Sequence, residues 1–144
     1  MYQRILFPTD GSDITAKALQ TALSLAKLAG AELSALAVKE PFPYSAISEM
    51  QPVPPQEYFD TQERVASARV KVVTDAAAAA GVPCKGYTVE GLHPWEAILD
   101  QAKAQGCDVI VMASHGRRGM SALLLGSETQ KVLTHSTLPV LVVR

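Results

Sequence analysis

A glycine-bearing segment near the C-terminus holds the residues best suited to chemistry. An apolar run from Cys107 to Met112 leads into Ala113–Gly116, and Gly126-Ser127 precedes a helical pattern. This order is typical of a strand, a loop and a helix start. The first N–H groups of a helix lack intrahelical acceptors and lie at the positive end of its dipole, which favours bound phosphate. Because glycine also lets the backbone approach an anion closely, the segment predicts a nucleotide site.

The composition restricts the class of protein. The chain has 144 residues, 48% of them apolar and 19% charged, which predicts one folded domain over residues 1–144. Thirteen basic and fourteen acidic residues give a net charge of −1, so no positive footprint for nucleic acid is present. No apolar run approaches the roughly 20 residues of a membrane span, and the first residues do not resemble a signal peptide. We therefore expect a cytoplasmic protein that binds neither nucleic acid nor membrane.

The cysteines and histidines do not predict a metal site. Cys84 and Cys107 lie at the edges of strand-like segments without metal-ligand spacing. We interpret them as reduced structural cysteines, with a disulfide or redox pair as the alternative. His93, His115 and His135 share no ligand spacing such as an i, i+4 pair.

Strand-like apolar runs alternate with helical periodicity along the whole chain. Strands are predicted over Arg4–Thr9, Glu32–Val38, Cys84–Val89, Cys107–Met112 and Pro139–Val143. Helices are predicted from Ser12 to Gly30, Glu57 to Ala80, Pro94 to Gly106 and Gly126 to His135. A proline-rich loop, of a length often found in covers of functional sites, separates the second strand from the second helix. This alternation predicts an α/β fold whose parallel sheet is covered by helices on both faces.

An open parallel sheet binds ligands beyond the carboxyl ends of its strands, where the strand order reverses. Two segments are candidates to flank that crevice. One is Pro8–Ser12, which follows the first strand, and the other is Ala113–Ser127, which follows the fourth. We therefore expect these distant segments to meet.

Four features together resemble the universal stress protein family over the whole chain. They are Pro8-Thr9-Asp10-Gly11-Ser12, Ser114-His115-Gly116, Leu124-Leu125-Gly126-Ser127 and the ending Pro139–Arg144. The resemblance implies a Rossmann-like, adenine nucleotide alpha hydrolase-like domain with an open five-stranded parallel sheet of order 3-2-1-4-5. It also implies a homodimer that pairs the C-terminal strand, residues 139–144, across a two-fold axis.

The ATP-binding branch of this family carries Gly, two residues, Gly, nine residues, and then Gly with Ser or Thr. Gly116 and Gly126-Ser127 fit this spacing, with Arg117–Leu125 between them, whereas Ala113 stands at the first glycine. Alanine is compatible with the motif when its φ is negative and its Cβ points away from the ligand.

The resemblance therefore implies an adenine nucleotide, ATP or AMP, with Mg²⁺ as an optional companion. In that role Gly116, Gly126 and Ser127 would contact phosphates and ribose, and the Val38 backbone would meet the adenine edge. Asp10 would lie near the adenine or a metal-bound phosphate. The full set of predicted nucleotide-binding residues is Pro8, Thr9, Asp10, Val38, Met112, Ala113, His115, Gly116, Gly119, Gly126, Ser127 and Glu128.

Several of these residues also have ordinary structural interpretations. Asp10 is equally typical of a turn or a helix N-cap. His115 is better explained by local packing or hydrogen bonding than by catalysis. The pair Arg117–Arg118 fits either phosphate contacts or an exposed loop, and Phe42 and Tyr44 either cover the adenine or anchor their loop.

Three functions fit the sequence. The first is a stress-response protein that binds an adenine nucleotide as a regulatory ligand and acts on an unknown protein partner. The second, towards which Ala113 points, is a dimeric partner-binding protein without nucleotide. The third is a slow ATPase. The chain has no Gly-Lys-Ser/Thr sequence and no base paired with Asp10, so we expect no enzyme, or slow hydrolysis at most.

Overall fold

Five parallel strands alternate with four helices in the computed structural model, which describes residues 1–43, 55–116 and 124–144. The strands are β1 (Arg4–Pro8), β2 (Glu32–Lys39), β3 (Cys84–Glu90), β4 (Val109–Ala113) and β5 (Val140–Val143). The helices are α1 (Asp13–Ala29), α2 (Gln56–Ala79), α3 (Pro94–Ala104) and α4 (Ser127–His135). Within these ranges no helix is long and apolar enough to cross a membrane.

The sheet has the order β3-β2-β1-β4-β5, as predicted. In the central strand, Leu6 lies opposite Ser34 on β2 and Ile110 on β4. The chain moves outwards from β1 to β3 and then returns past β1 to β4 and β5. The order therefore reverses between β1 and β4, and a crevice opens at the carboxyl ends of these two strands.

Helices cover both faces of the sheet, and each face has its own core. Ile5 and Phe7 pack beneath α1 and α2, whereas Leu6 packs on the other face with residues of α3 and α4. All three side chains are fully buried. This alternation explains why the central strands are continuous apolar runs in the sequence.

Element boundaries lie within two residues of those predicted. The fourth strand begins at Val109 rather than Cys107, because the N–H of Cys107 still donates to Ala102 O (2.8 Å) at the end of α3. The carboxylate of Asp108 accepts backbone hydrogen bonds from the start of β1. These two residues therefore join the helix to the sheet instead of extending the strand.

Both cysteines are free, as predicted. Cys107 is buried and Cys84 is half-buried, and this burial is the main cause that raises the pKa of each thiol. A raised pKa lowers the thiolate fraction at neutral pH, so both cysteines are poor nucleophiles there.

A polar cluster holds α2 above the carboxyl ends of β2 and β3. The Glu63 carboxylate pairs with Lys39 Nζ at 2.8 Å and accepts hydrogen bonds from Ser67 (2.9 Å) and Thr88 (3.0 Å). The hydrogen bond from Lys39, followed by those from Ser67 and Thr88, lowers the pKa of Glu63 below its ordinary 4.5. The cluster therefore fixes the start of α2 beside the crevice.

We expect the stability contribution of Glu63 to depend on pH. Because its pKa is lower in the folded chain, the contribution is complete above about pH 5.5 and is lost as pH falls through 4.5 and below. Glu63→Gln should lower the free energy of unfolding by about 1 kcal/mol at most at neutral pH, because the side chain is half exposed. Urea unfolding at several pH values measures this difference.

Arg64→Gln, an exposed change on the same helix, serves as the control and should keep the wild-type pH profile. A difference between the wild type and Glu63→Gln that stayed constant from pH 7 to pH 3 would contradict the assignment.

Candidate functional site

A cavity of about 1190 Å³ opens where β1 and β4 end. The two segments expected to flank the crevice do meet there. Eleven of the twelve predicted residues line it: Pro8, Thr9, Asp10, Val38, Met112, Ala113, His115, Gly116, Gly126, Ser127 and Glu128. The twelfth, Gly119, lies outside the described residues, as do Tyr44 and the pair Arg117–Arg118.

Asp10 shapes the turn between β1 and α1. Its Oδ1 accepts hydrogen bonds from Ser12 N–H at 2.9 Å and from the Thr15 hydroxyl at 2.7 Å. The position preceding α1 is held by Ser12, so Asp10 is a turn residue and not the N-cap. The Thr9 N–H donates to Leu36 O at 2.8 Å, which adds one hydrogen bond between β1 and β2 beyond the end of β1. The Asp10 carboxylate is thereby held at the cavity wall.

One hydrogen bond closes the base of the loop after β4. Gly126 N–H donates to Ser114 O at 2.8 Å, and Ser114 N–H donates to Val143 O on β5 at 2.8 Å. The Thr129 hydroxyl donates to Ala113 O at 3.1 Å, which attaches α4 to the end of β4. The two ends of the predicted motif are therefore neighbours, although nine residues separate its glycines.

Both described glycines of the motif stand where a side chain would collide. A Cβ at Gly116 would lie 2.6 Å from Asp10 Oδ2, and a Cβ at Gly126 would lie 2.9 Å from His115 Cα. Gly126 has a φ of −62°, which any residue can adopt. Close approach, and not an unusual dihedral angle, therefore requires glycine at position 126.

The start of α4 faces the cavity with its backbone. Gly126 occupies the N-cap position, and no side chain of the described residues caps the helix. Ser127 is the first helical residue and lines the cavity. The carboxylate of Glu128 is engaged elsewhere, because its Oε2 accepts the Trp95 N–H at 2.9 Å at the start of α3. The α4 terminus thus presents N–H groups and one hydroxyl.

Ala113 occupies the first motif position without strain. It ends β4 and is 8% exposed, and it belongs to the core beneath α1 and α2. No non-glycine residue in the described ranges has a positive φ. The absence of a positive φ therefore meets the first of the two conditions under which alanine can replace glycine here.

Two of the histidines have local structural partners, and the third lies at the start of a helix. His115 Nδ1 lies 3.2 Å from the Ser114 hydroxyl, which agrees with its interpretation as a locally bonded loop residue. The His135 ring packs against Trp95 with centroids 4.4 Å apart, and His93 precedes α3. Trp95 is therefore a packing residue between α3 and α4.

The segment that carries Phe42 is anchored by a residue that the sequence did not reveal. The Tyr58 hydroxyl donates to the carbonyls of Glu40 and Pro41, both at 3.1 Å, and its ring contacts Phe42 edge-on at 4.9 Å. Desolvation is the main cause that raises the pKa of Tyr58, and the charges of Glu40 and Glu90 add to it. The hydroxyl therefore remains a donor at neutral pH. Phe42 both anchors this segment and lines the cavity.

Helix α2 contributes further cavity-lining residues that the sequence did not reveal. Gln62, Val65 and Arg69 follow one face of the helix and line the cavity. Their i, i+3, i+7 spacing is the only sequence signal that could have indicated a shared face. Arg69 is the one permanently cationic side chain in the described lining, which also contains the carboxylates of Asp10, Glu40 and Glu128.

The described part of the chain contains no group of three or more His, Cys, Asp or Glu side chains that could hold a metal ion. The backbone N–H groups at the start of α4 are suited to binding an anion. The Phe42 ring offers an apolar surface to another part of the same ligand.

Comparisons with known proteins agree over the full length. The model of the universal stress protein family matches residues 1–144. The universal stress protein YxiE of Bacillus subtilis is 36% identical, and the match covers 100% of both chains. The solved structure of MJ0577, from Methanocaldococcus jannaschii, is 31% identical with a TM-score of 0.84, covering 99% of this chain and 96% of that one.

A universal stress protein solved in complex with cAMP has a TM-score of 0.74 at 25% identity, covering 99% of this chain and 97% of that one. Fold, motif positions and full-length matches therefore lead to one conclusion. This chain belongs to the universal stress protein family.

Proposed function

We propose that this chain is a cytoplasmic stress-response protein that binds an adenine nucleotide, ATP or AMP, as a regulatory ligand. The observation that carries the proposal is the close packing of Gly116 and Gly126 beside the uncapped start of α4. The related protein solved with cAMP supports the same ligand class. The ligand would lie in the cavity between the Asp10 turn and the loop after β4.

The phosphates would rest at the start of α4. The N–H groups of its first turn face the cavity without a side-chain cap, and the helix dipole is positive at this end. The Ser127 hydroxyl adds a donor. A Cβ at Gly126 would collide with the His115 backbone next to these groups.

The adenine would meet β2 where β1 has ended. β1 pairs with β2 only as far as Pro8 opposite Leu36, and the carbonyl of Leu36 accepts the Thr9 N–H. Backbone groups two residues apart in a strand face the same neighbour. The N–H and C=O of Val38 therefore face the cavity side of β2 and offer one donor and one acceptor to the edge of a base.

We propose that the nucleotide regulates and is not turned over. Phosphoryl transfer requires a group that orients the nucleophile and cations that stabilise the transferring phosphate. Asp10 Oδ1 is already held by Ser12 and Thr15, and the described lining contains no lysine. Mg²⁺ would enter only with the phosphates.

We also propose a homodimer through residues 139–144. β5 is an edge strand of the sheet, and its Leu141 is 41% exposed. An apolar edge strand that pairs with a second copy is protected from other association. This pairing would extend the sheet across both chains.

Gly126→Asp tests the position of the phosphates. We expect it to weaken ATP binding by about tenfold or more, because it places a carboxylate beside the first turn of α4. Leu124→Asp is the matched control, since it adds the same charge at a 71% exposed position that does not line the cavity. Calorimetric titration of nucleotide-free protein measures both affinities.

Thermal unfolding should show that both variants are folded. For a milder change, Ser127→Ala should reduce ATP affinity by several-fold through the loss of one hydroxyl. An ATP affinity unchanged in Gly126→Asp would show that the phosphates bind elsewhere.

Digestion with trypsin tests whether the nucleotide acts as a regulatory ligand. Arg117 and Arg118 lie in sequence between Gly116 and Gly126, which the nucleotide would contact together. We expect saturating ATP to slow cleavage after these arginines, because a ligand shifts the protein towards the conformation that binds it. Mass spectrometry of timed digests measures the rate, and other cleavage sites serve as internal controls. Equal rates with and without ATP would remove this part of the proposal.

Leu141→Lys tests the dimer. The added charge should weaken self-association by about tenfold or more, measured by sedimentation at several protein concentrations. Leu28→Lys, at an 88% exposed position on α1, is the control and should leave the dimer intact. A wild-type protein that stays monomeric at high concentration would refute the assignment.

A further inference from the structure

A second, smaller groove lies between α1 and α2, beside the cavity already described. Its volume is about 360 Å³, within the range of small-molecule sites. The walls are mostly apolar: Phe7 at the base, Ala16 and Leu19 from α1, and Val65, Ala68 and Val72 from α2. Of these, Val65 and Val72 are 39% and 63% exposed, so a ligand that covered them would gain by removing apolar surface from water.

The groove also has polar lining residues, which come from the start of α1 and from α2. Gly11 and Ser12, which precede α1, and Thr15 in its first turn line the groove together with Arg69 from α2. The Asp10 carboxylate lies behind this turn, hydrogen-bonded to Ser12 and Thr15, and does not line the groove. The groove therefore combines mostly apolar walls with one cationic side chain, Arg69.

Arg69 has the properties of a side chain that receives an anion. It is half-buried, and within the described ranges no ion pair or hydrogen bond engages its guanidinium. Partial burial removes water from a charge, and a carboxylate can compensate by forming two parallel hydrogen bonds. Arg64, five residues earlier, is exposed and lines neither cavity.

We propose that the groove between α1 and α2 is a second ligand site, for a free medium-chain carboxylic acid. The carboxylate pairs with Arg69, and the alkyl chain lies against Leu19, Val65 and Val72. The site shares Thr9, Thr15, Val65 and Arg69 with the nucleotide cavity, so the two ligands are neighbours. The proposed carboxylate site does not depend on whether the chain binds a nucleotide.

Decanoate is the probe, and it is titrated by calorimetry into the full chain. The decanoate is kept at concentrations at which it is itself monomeric. We expect saturable binding that strengthens from hexanoate to decanoate by up to about fourfold per methylene group. Decanol, which has the same chain without the charge, should bind about tenfold more weakly.

Paired variants separate charge from shape. Arg69→Gln should weaken decanoate binding by about tenfold, whereas Arg64→Gln should not change it. Ala68→Leu should fill the groove and abolish binding, whereas Ala78→Leu, an exposed change elsewhere on α2, should not. Gly126→Asp should retain decanoate binding, so failure of the nucleotide site is distinguishable from failure of this one.

Three results would overturn the proposal. One is the absence of saturable decanoate binding by the wild type. Another is binding that survives both Arg69→Gln and Ala68→Leu. The third is an oligomer that dissociates in Ala68→Leu during sedimentation, since a second copy of the chain would then cover the groove.

Discussion

The hydrogen bond from Gly126 N–H to Ser114 O is the contact on which the site depends. It joins the end of β4 to the start of α4, and Ser114 is in turn bonded to Val143 on β5. Because the bond brings Gly126 against the His115 backbone, the first turn of α4 faces the crevice. The strand order brings the Asp10 turn to the same crevice, and this closure fixes the start of α4 beside it.

The cavity joins two different surfaces. One wall is backbone: the start of α4, the Asp10 turn and the outer end of β2. The other is made of side chains, with Phe42 fixed through Tyr58, and Arg69 from α2. Three carboxylates face a single arginine among the described lining residues, so backbone dipoles must supply much of the attraction for an anion.

The fold was predictable because its strands are buried on both faces. Runs such as Ile5–Phe7 and Val109–Ala113 are continuously apolar, since alternate side chains enter separate cores. The order 3-2-1-4-5 followed from the family resemblance and is confirmed. The boundary at Cys107 was not predictable, because a tertiary contact between Asp108 and the start of β1 decides where the strand begins.

The candidate site was predictable on the motif side alone. Gly116, Gly126 and Ser127 are recognisable by spacing, and Asp10 by its place after the first strand. Arg69 belongs to no motif, because only the packing of α2 against the sheet brings it to the cavity. Ala113 departs from the motif, and the structure places it in the core beneath α1 and α2.

The most direct test of the account is a calorimetric titration of the nucleotide-free wild-type chain with ATP and with AMP. We predict saturable binding of about one nucleotide per chain, with each nucleotide displacing the other from a single class of sites. The absence of binding by both would contradict the account and would identify the protein as a partner-binding member of the family that has lost its nucleotide.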